Sequence, residues 1–415
     1  MQEVVIEKLV HGGQGLATMS DGRKVFVWGA LPGEKVEVRI IKNKKSYAEA
    51  IAETIIEKSP ERIEPRESNY LATSPWQILN VAVENDYKKR IVEELFVQAH
   101  VPIPEFALHA AGDDWHYRNK MEYSFWGDDD GLHLALHNRG SHQKTIVEGS
   151  ELALPALDAG ARGLLAELQK HTPRAGDLKT IIVRCSQNGD VVAALYTKLE
   201  KFTPLELPKE LKGLRVYHSN RKSPASVPTK LLQELGDPTL TDELLGRSFT
   251  YDVDSFFQVN IPIFEKALEQ IKAHGQADDL VDMYAGVGSI GLSVADKHVQ
   301  LVEADAATAA MARVNAETDG VDAEVVEAPT EKVLEYIVPE KTVIFDPPRA
   351  GLHDKVIKKT LETGPQKVIY LSCNPATQAR DLALLKEAYE VAFFEGYNFF
   401  PHTPHIETLA ILKRK

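Results

Sequence analysis

The sequence is poor in cysteine and contains no long apolar run. Its 415 residues include two cysteines, Cys185 and Cys373. Two thiols are too few for a disulfide framework, and they cannot by themselves form a structural zinc site. No apolar stretch approaches the ~18 to 20 residues that cross a membrane, and the start of the chain lacks the pattern of a signal peptide. We therefore expect a cytoplasmic protein that has no membrane partner.

Positive charge is also scarce. The chain has 61 acidic and 48 basic residues, for a net charge of -13, which argues against indiscriminate binding to nucleic acid. One basic run, "KVEVRIIKNKKSY", concentrates five cations: Lys35, Arg39, Lys42, Lys44 and Lys45. The run has two interpretations, a local face for a polyanion or a solvated strand edge and turn.

The chain divides into three parts by pattern. Residues 1–58 alternate short β-rich runs with glycine and proline turns, which predicts a small barrel of the oligonucleotide-binding kind. Residues 59–254 combine a helical period from Val81 to Val97 with two hairpin patterns, around "GDDDG" and "QNGD", and so predict an α+β domain. Cys185 lies in the second hairpin at an alternating position, where we expect a buried structural thiol.

Residues 255–415 alternate apolar strands with helical segments. Strands are predicted at 279–283, 299–303, 342–346 and 367–372, followed by two more in the aromatic-rich end of the chain. This order predicts a doubly wound α/β domain with a mostly parallel sheet. Active-site groups should collect beyond the carboxyl ends of its strands.

A glycine-rich turn follows the first of these strands. In "AGVGSIG", Gly286, Gly288 and Gly291 fit the G-x-G-x-x-G pattern between a strand and a helix. Glu303 ends the next strand, 17 residues after Gly286, where an acid can accept hydrogen bonds from ribose hydroxyls. The pattern predicts an adenosine-containing cofactor and leaves a nicotinamide cofactor and S-adenosylmethionine both open.

The fourth strand ends in "VIFDPPRAGL", which places Asp346 at the sheet edge before two prolines. Prolines stiffen a loop because they fix φ and lack an N–H group. Many enzymes that methylate a planar nitrogenous base carry Asp-Pro-Pro or Asn-Pro-Pro here, whereas the alternative is an ordinary turn. A dehydrogenase gains nothing from this motif.

Cys373 ends the fifth strand, "KVIYLS", and precedes Asn-Pro. A polar turn is a poor place for a core thiol, but it suits a nucleophile. Carbon C5 of a pyrimidine is too electron-poor to take a methyl group unaided, and addition of a thiolate at C6 supplies the electron density. A separate base must then remove the C5 proton.

Candidates for that base lie in "FFPHTPHIET". His402, His405 and Glu407 stand at the predicted start of the last strand, where a His-x-Glu pair would share one face. The alternatives are loop histidines and a carboxylate that faces water. A metal site of two histidines and one carboxylate is also conceivable, but the preceding motifs give it no role.

Taken together, these motifs carry a family resemblance. Residues 255–415 resemble the RNA uracil-C5 methyltransferases, through "SFFQVN", "DMYAGVGSIGL", "VEAD", "FDPPRAGL", "YLSCNPATQARDL" and "FPHTPHIETLAIL" in the family's order and spacing. The likeness extends upstream through "HYRNKMEYSF", and residues 1–58 resemble the TRAM domain, an RNA-binding barrel.

The resemblance implies a Rossmann-like class I methyltransferase domain that uses S-adenosylmethionine on ribosomal or transfer RNA, and the TRAM-like segment favours ribosomal RNA. It implies that Cys373 is the nucleophile and Glu407 the base. Besides Gly286 and Gly288, which the glycine pattern nominates, four residues are implied to contact the methyl donor: Gln258, Tyr284, Glu303 and Asp346. We expect a monomer.

One departure concerns the iron-sulfur cluster that many members hold with four cysteines. The corresponding segment, "PRESNYLATSPWQ", contains no cysteine; Glu67, Thr73 and Trp76 stand near three of the positions and Ser150 near the fourth. A chain with two cysteines cannot supply four thiolates. We therefore expect neither an iron-sulfur cluster nor another metal.

Two other functions remain open from the sequence. Asp-Pro-Pro alone would suit an amino-methyltransferase that acts on a purine base and needs no thiol. A second alternative is an RNA-binding protein whose methyl-transfer site is vestigial, although the presence of both Cys373 and Glu407 argues against it.

Overall fold

A computed structural model describes residues 2–141, 143–223, 226–275 and 279–415, with the side chain of Asp319 excepted. The chain begins with a closed five-stranded barrel in the order β1-β2-β3-β5-β4. Its strands are β1 Gln2–Leu9, β2 Gly15–Thr18, β3 Lys24–Trp28, β4 Lys35–Asn43 and β5 Tyr47–Glu57. Alternate residues point inward and form a small apolar core. The predicted barrel is confirmed.

Most of the basic run forms β4, whose cations are not among its buried residues, and Lys44 and Lys45 follow the strand. Three of its five cations are paired with carboxylates of neighbouring strands: Lys35 with Glu3 at 2.7 Å, Lys42 with Glu49 at 2.6 Å, and Arg39 with Glu53. These pairs compensate much of the positive charge that the sequence concentrates here. The structure therefore favours the solvated strand edge over a polyanion-binding face.

The middle segment contributes to two layers of the molecule. Its first elements are α1 Tyr70–Thr73, α2 Val81–Gln98 and β6 Leu108–Ala110. A seven-stranded sheet follows, in the order β13-β12-β11-β10-β7-β8-β9, with α3 packed on it. These elements are β7 Lys120–Asp128, β8 Gly131–His137, β9 Lys144–Ile146, α3 Pro155–Lys170, β10 Leu178–Cys185, β11 Val191–Thr197, β12 Gly213–His218 and β13 Lys230–Gly236.

Both predicted hairpins are present in this sheet, as β7–β8 and β10–β11. Cys185 ends β10 and is 2% exposed, as expected for a structural thiol. A separate hairpin, β14 Thr239–Leu244 and β15 Arg247–Asp252, then leads into the last third of the chain.

The C-terminal part is a doubly wound α/β unit, as predicted. Its eight-stranded sheet has the order β18-β17-β16-β19-β20-β22-β21-β6. The elements are α4 Ile261–Gly275, β16 Asp279–Asp282, α5 Ser289–Val294, β17 His298–Glu303, α6 Ala306–Asp319, β18 Asp322–Glu327, β19 Thr342–Phe345, α7 Asp354–Thr363, β20 Lys367–Ser372, α8 Pro375–Leu385, β21 Tyr389–Asn398 and β22 Glu407–Arg414. Short 3-10 turns occupy Ala175–Asp177, Thr330–Lys332 and Leu334–Tyr336.

The domain boundaries at residues 58 and 254 stay predictions, but the packing crosses the second of them. Strand β6, from the middle segment, pairs in parallel with β21 and ends the C-terminal sheet. Helix α2 packs against α8 on the same unit. Apolar surface on α2 explains this arrangement, because Ile91, Val92 and Phe96 enter the core beside Phe394. In the described parts of the chain, no helix is long and apolar enough to span a membrane.

Candidate active site

Three neighbouring strands bring the predicted reactive groups to one edge of the C-terminal sheet. Strands β19 and β20 run in parallel, and Asp346 and Cys373 follow their last residues. Strand β22 runs antiparallel to β20, so its first residue, Glu407, lies at the same edge. Ser372 pairs with Thr408, and this register places Cys373 beside Glu407.

The charges of these groups act on one another. Burial, followed by the charges of Glu407 and Asp346, raises the pKa of Cys373 to about 12, while the charge of Arg349 opposes the shift. Burial also raises the pKa of Glu407 well above its usual range, with Asp346 adding to the effect. A cluster of mutually repelling acids favours the neutral form of each. Ionisation of Cys373 is therefore opposed by both carboxylates, and ionisation of Glu407 is opposed by Asp346.

Asp346 occupies the centre of this acidic region. Burial raises its pKa to about 8, and the negative charge of Asp282 contributes to the shift. A cation placed against Asp346 would lower the pKa values of the neighbouring acids by direct attraction. The edge of the sheet is thus electrostatically suited to a positively charged ligand.

The glycine turn after β16 is held from within by Asp282, which the sequence reasoning missed. Its carboxylate accepts hydrogen bonds from Gly291 N at 3.0 Å and Tyr284 N at 3.3 Å. The side chain is fully buried, and burial raises its pKa to about 7. A polar residue that ends the apolar strand "DLVD" was the signal available in the sequence.

Backbone geometry explains the first two glycines. Gly286 and Gly288 have φ values of 57° and 87°, in the left-handed region that favours glycine. A Cβ on Gly286 would meet nothing within 4 Å, whereas one on Gly288 would lie 2.7 Å from Leu292. The side of Gly286 that a Cβ would occupy is therefore open to a ligand.

Glu303 faces the same turn. One of its oxygens accepts from Gly286 N at 2.9 Å, and the other accepts from Asp305 N at 2.8 Å. Tyr284 lies at the near end of the turn, half-buried, with its ring edge-on to Phe345 at 6.5 Å. These contacts assemble three predicted cofactor-binding residues, Gly286, Tyr284 and Glu303, around one turn.

Gln258 lies in the segment before α4. Its side chain is buried, and its backbone oxygen accepts from Asn119 Nδ2 at 3.0 Å. Asn119 also donates its own N–H to Val259 at 3.1 Å. The motif "HYRNKMEYSF" in the middle segment thus positions the segment "SFFQVN" in the C-terminal part.

The Asn-Pro pair after Cys373 begins helix α8. Asn374 Oδ1 accepts from Ala376 N at 3.2 Å, and Pro375 stands at the first helical position. Asn374 Nδ2 also donates to the backbone oxygen of Arg349 at 2.9 Å. This one side chain therefore joins the cysteine turn to the Asp-Pro-Pro-Arg loop.

The two histidine candidates do not share a strand face with Glu407, so that part of the prediction is wrong. Strand β22 begins only at Glu407, because the prolines of "PHTPH" cannot extend a ladder and His402 has a φ of 62°. The His402 ring stacks on Trp115 at 3.9 Å. His405 lies 3.5 Å from Arg349, and burial followed by the charge of Arg349 lowers its pKa to about 3.

A metal site formed by these groups has no support. Within residues 2–141, 143–223, 226–275 and 279–415, no three His, Cys, Asp or Glu side chains are arranged to hold a metal ion. Burial lowers the pKa of His402 to about 4, with the charge of Asp114 opposing the shift. Glu407 is the candidate in this segment that reaches the cysteine.

The segment that would carry cluster cysteines is organised by other contacts. Gln77 Nε2 donates to Glu67 Oε2 at 2.5 Å, and Glu67 Oε1 accepts from Glu151 N at 3.1 Å. Trp76 is 1% exposed and packs in an apolar core. Carboxylate, hydroxyl and indole groups do not fit an iron-sulfur cluster, and hydrogen bonds with apolar packing hold the segment instead.

Comparison with known families adds to this geometry. Residues 81–415 match the family model described as tRNA (Uracil-5-)-methyltransferase. The chain belongs to the tRNA (uracil-5-)-methyltransferase family. Residues 1–52 match the TRAM domain, as the barrel predicted. The chain is thus an RNA methyltransferase of this family with an N-terminal TRAM barrel, and its methyl donor is S-adenosylmethionine.

Full-length relatives share this organisation. A Lactobacillus johnsonii protein named "Uncharacterized RNA methyltransferase" is 31% identical over 444 residues, covering 99% of this chain and 98% of its own. An Enterococcus faecalis protein of the same name is 29% identical over 445 residues, covering 99% and 97%. The crystal structure of Pyrococcus abyssi tRNA (uracil-54, C5)-methyltransferase with S-adenosyl-L-homocysteine has a TM-score of 0.79 at 23% identity, covering 99% of this chain and 100% of that one. This likeness confirms the fold.

The residues present fit the family's methyl donor. The Cβ side of Gly286 is open, and the Glu303 carboxylate holds the turn by accepting hydrogen bonds from Gly286 N and Asp305 N. A nucleoside can therefore approach this turn. The acids at the sheet edge suit a sulfonium cation, because its charge relieves their mutual repulsion.

Proposed function

We propose that this enzyme methylates C5 of a specific uridine in structured RNA, with 23S ribosomal RNA as the first target and transfer RNA as the second. The observation that supports the proposal is the placement of Cys373 beside Glu407, in the register of β20 with β22. An amino-methyltransferase that acts on a purine has no use for this pair. Cytoplasmic location and a monomeric state remain predictions.

In the proposed reaction, Cys373 loses its proton to solvent, which the positive charge of a bound donor would favour, and the thiolate attacks C6 of the uracil ring and forms a C6–S bond. The C5–C6 double bond opens, and its electron pair moves towards C5 and the O4 carbonyl. S-adenosylmethionine, when bound, would supply the methyl group that C5 takes, with its S–CH3 bond breaking and S-adenosylhomocysteine leaving as the neutral thioether. The chain must hold C5 facing that donor while Cys373 holds C6 from the adjacent strand end.

Glu407 completes the cycle by taking the C5 proton. The electron pair of the C5–H bond then reforms the C5–C6 double bond, and the C6–S bond breaks to return the Cys373 thiolate. A carboxylate of ordinary pKa is a weak base, but burial raises the pKa of Glu407 well above its usual range. A raised pKa makes the ionised form a stronger proton acceptor.

Six residues are proposed to hold the methyl donor: Gln258, Tyr284, Gly286, Gly288, Glu303 and Asp346. Glu303 retains lone pairs for ribose hydroxyls beyond the two backbone N–H groups that it binds. The charge of Asp346 raises the pKa of Cys373, so these two groups lie close enough to interact. Its carboxylate would face the cationic end of the donor.

The identity of the target RNA is the most specific part of the proposal. The TRAM barrel favours ribosomal RNA, which keeps 23S RNA first. Transfer RNA is the second candidate, because the Pyrococcus abyssi enzyme with the same fold is a tRNA (uracil-54, C5)-methyltransferase. Mass mapping of 5-methyluridine in ribosomal and transfer RNA from a deletion strain separates the two targets.

The mechanism is tested with RNA that carries 5-tritiated uridine. Wild-type enzyme and S-adenosylmethionine should release tritium to water, and Cys373→Ala should release none. Cys185→Ala is the matched control, since Cys185 is a buried thiol in a different sheet. Methylation by Cys373→Ala, or a methylated purine in place of 5-methyluridine, would contradict the proposal.

A further inference from the structure

The turn between β1 and β2 of the TRAM barrel reaches the candidate active site. Val10 N donates to Gln14 O at 3.0 Å, and Gly13 N donates to Val10 O at 2.9 Å, which makes the turn tight. Gly12 and Gly13 have φ values of 93° and 95°, a conformation that glycine adopts without strain.

Gly13 is wedged against the segment that leads to Glu407. Its backbone oxygen accepts from Trp76 Nε1 at 3.0 Å. A Cβ added to Gly13 would lie 2.4 Å from the Cβ of Pro404, so no larger residue fits. Trp76 N also donates to His402 O at 3.0 Å. The barrel turn, Trp76 and the "PHTPH" segment therefore form one packed unit.

His11 extends from this turn towards the nucleophile. The His11 side chain lies beside the side chain of Asn374, the residue after Cys373, and it is exposed to solvent. The surrounding protein lowers the pKa of His11, and the contact with Asn374 opposes the shift.

The barrel packs against the rest of the chain through an apolar core and a buried ion pair. Leu9 and Leu31 share an apolar core with Trp76 and Ile406. Arg62, in the segment after the barrel, donates to both oxygens of the buried Glu34 carboxylate, at 2.5 and 2.7 Å. A paired, buried contact of this kind fixes orientation.

We propose that the β1–β2 turn forms one wall of the target-nucleotide site, and that His11 is a positioning residue that holds Asn374 and stacks its exposed ring on the nucleotide beside the target uridine. This inference rests on the proposed function and deepens it. A base that is presented to an enzyme must leave its helix, and unpaired RNA bases commonly stack on aromatic side chains, histidine included.

The two roles of His11 are separable by substitution. His11→Gln keeps a hydrogen-bonding side chain for Asn374 and loses the ring, whereas His11→Phe keeps a ring and loses the hydrogen bond. In steady-state methylation of RNA, we expect His11→Ala to raise KM for RNA about tenfold, as the loss of one base-stacking contact does, and to lower kcat as well. His11→Phe should restore KM, and His11→Gln should restore kcat.

Two controls distinguish a local effect from a general one. His298→Ala removes a histidine at the opposite end of the sheet, where β17 begins, and should leave both constants unchanged. Affinity for S-adenosylmethionine, measured by calorimetry, should stay within about twofold of wild type in every His11 variant, because the contacts of the barrel turn are with Asn374, Trp76 and Pro404.

The glycine pair of the turn provides a matched test of the wall. Gly12→Ala and Gly13→Ala impose the same backbone strain, since both φ values are positive. A Cβ at Gly12 would meet nothing within 4 Å, whereas one at Gly13 would strike Pro404. We expect Gly13→Ala to lower kcat/KM for RNA at least about tenfold more than Gly12→Ala.

A chemical footprint detects the RNA contact directly. Carbethoxylation of His11 by diethyl pyrocarbonate, mapped by mass spectrometry, should be blocked by the methylated RNA and not by S-adenosylmethionine alone. Unprotected His11 together with unchanged constants for His11→Ala would overturn the inference. Failure of the wild-type enzyme to form 5-methyluridine in any RNA would instead overturn the proposed function.

Discussion

The ammonium group of Lys88 lies 2.6 Å from Oδ1 of Asn398, and both side chains are completely buried. Lys88 is also paired with Glu84 at 2.8 Å, one turn earlier on α2. Glu84 in turn accepts from His402 N at 2.8 Å. This polar cluster connects α2 to the end of β21 and to the middle of the loop between β21 and β22, and so orients the chain that leads to Glu407.

Replacing Lys88 with methionine should lower the free energy of unfolding and slow catalysis. The substitution leaves the Glu84 carboxylate buried without its cation, which typically costs about 3 to 5 kcal/mol of unfolding free energy. Denaturant titration measures the loss, and kcat reports the disturbed loop. Lys272→Met, on an exposed face of α4, is the matched control. Equal stability of the two variants would refute the role of the cluster. The double variant Glu84→Gln with Lys88→Met should lose less unfolding free energy than Lys88→Met alone, because no carboxylate is left buried without a cation.

Glu407→Gln should trap a covalent complex between enzyme and RNA. Attack by Cys373 and methylation of C5 do not need the base, whereas expulsion of the thiolate does. Incubation with RNA and S-adenosylmethionine should give a slowly migrating band that survives denaturation. Adding Cys373→Ala to the same chain must remove the band. A Glu407→Gln enzyme that releases 5-methyluridine at the wild-type rate would show that another group takes the proton.

Alkylation of Cys373 by iodoacetamide should be slow at pH 7 and rise steeply with pH. Burial and the neighbouring carboxylates raise the pKa of this thiol to about 12, and only the thiolate reacts. The rate should therefore increase about tenfold per pH unit between pH 8 and 10. Cys185 is 2% exposed and should not interfere.

Arg349→Met should slow the same alkylation at any fixed pH in that range. The Arg349 charge lowers the pKa of Cys373, so its removal leaves a smaller thiolate fraction. Arg313→Met, on exposed helix α6, should not change the rate. A pH-independent rate, or faster alkylation of Arg349→Met, would contradict the electrostatic account of the site.

Asp282→Ala should weaken binding of S-adenosylmethionine by at least about tenfold. The substitution leaves the N–H groups of Gly291 and Tyr284 without their acceptor, and an unsatisfied buried donor typically costs about 1 to 3 kcal/mol. The glycine turn would relax to recover those bonds. Calorimetry measures the affinity, with Asp296→Ala, an exposed residue before β17, as control. Unchanged affinity would show that the turn does not depend on Asp282.

Prediction from sequence was most successful where a signal was local. The strands predicted at 279–283, 299–303, 342–346 and 367–372 are all present within one residue at either end, because short apolar runs between turn residues suit buried parallel strands. The last strand was placed too early. Two prolines and the left-handed backbone at His402 prevent the strand from beginning before Glu407. The spacing of the motif gives no information about that backbone conformation.

Long-range polar contacts left no comparable signal. Lys88 occupies an ordinary position in the helical period of α2, and its partner Asn398 is 310 residues away. His11 stands in a glycine turn that reads as a barrel loop, yet it meets Asn374 in another part of the fold. Neither contact follows from periodicity or spacing, because each depends on how separately formed units dock.

The sequence by itself determined the parallel sheet, the glycine turn and the delivery of Asp346 and Cys373 to the carboxyl edge, because these follow from apolar runs and from the residues at their ends. The tertiary structure decided the rest. The antiparallel pairing of β22 with β20 places Glu407 beside Cys373, and packing of the barrel against Trp76 and Pro404 brings His11 to the same edge. Such juxtapositions depend on which surfaces pack together, and that choice is made by the whole chain.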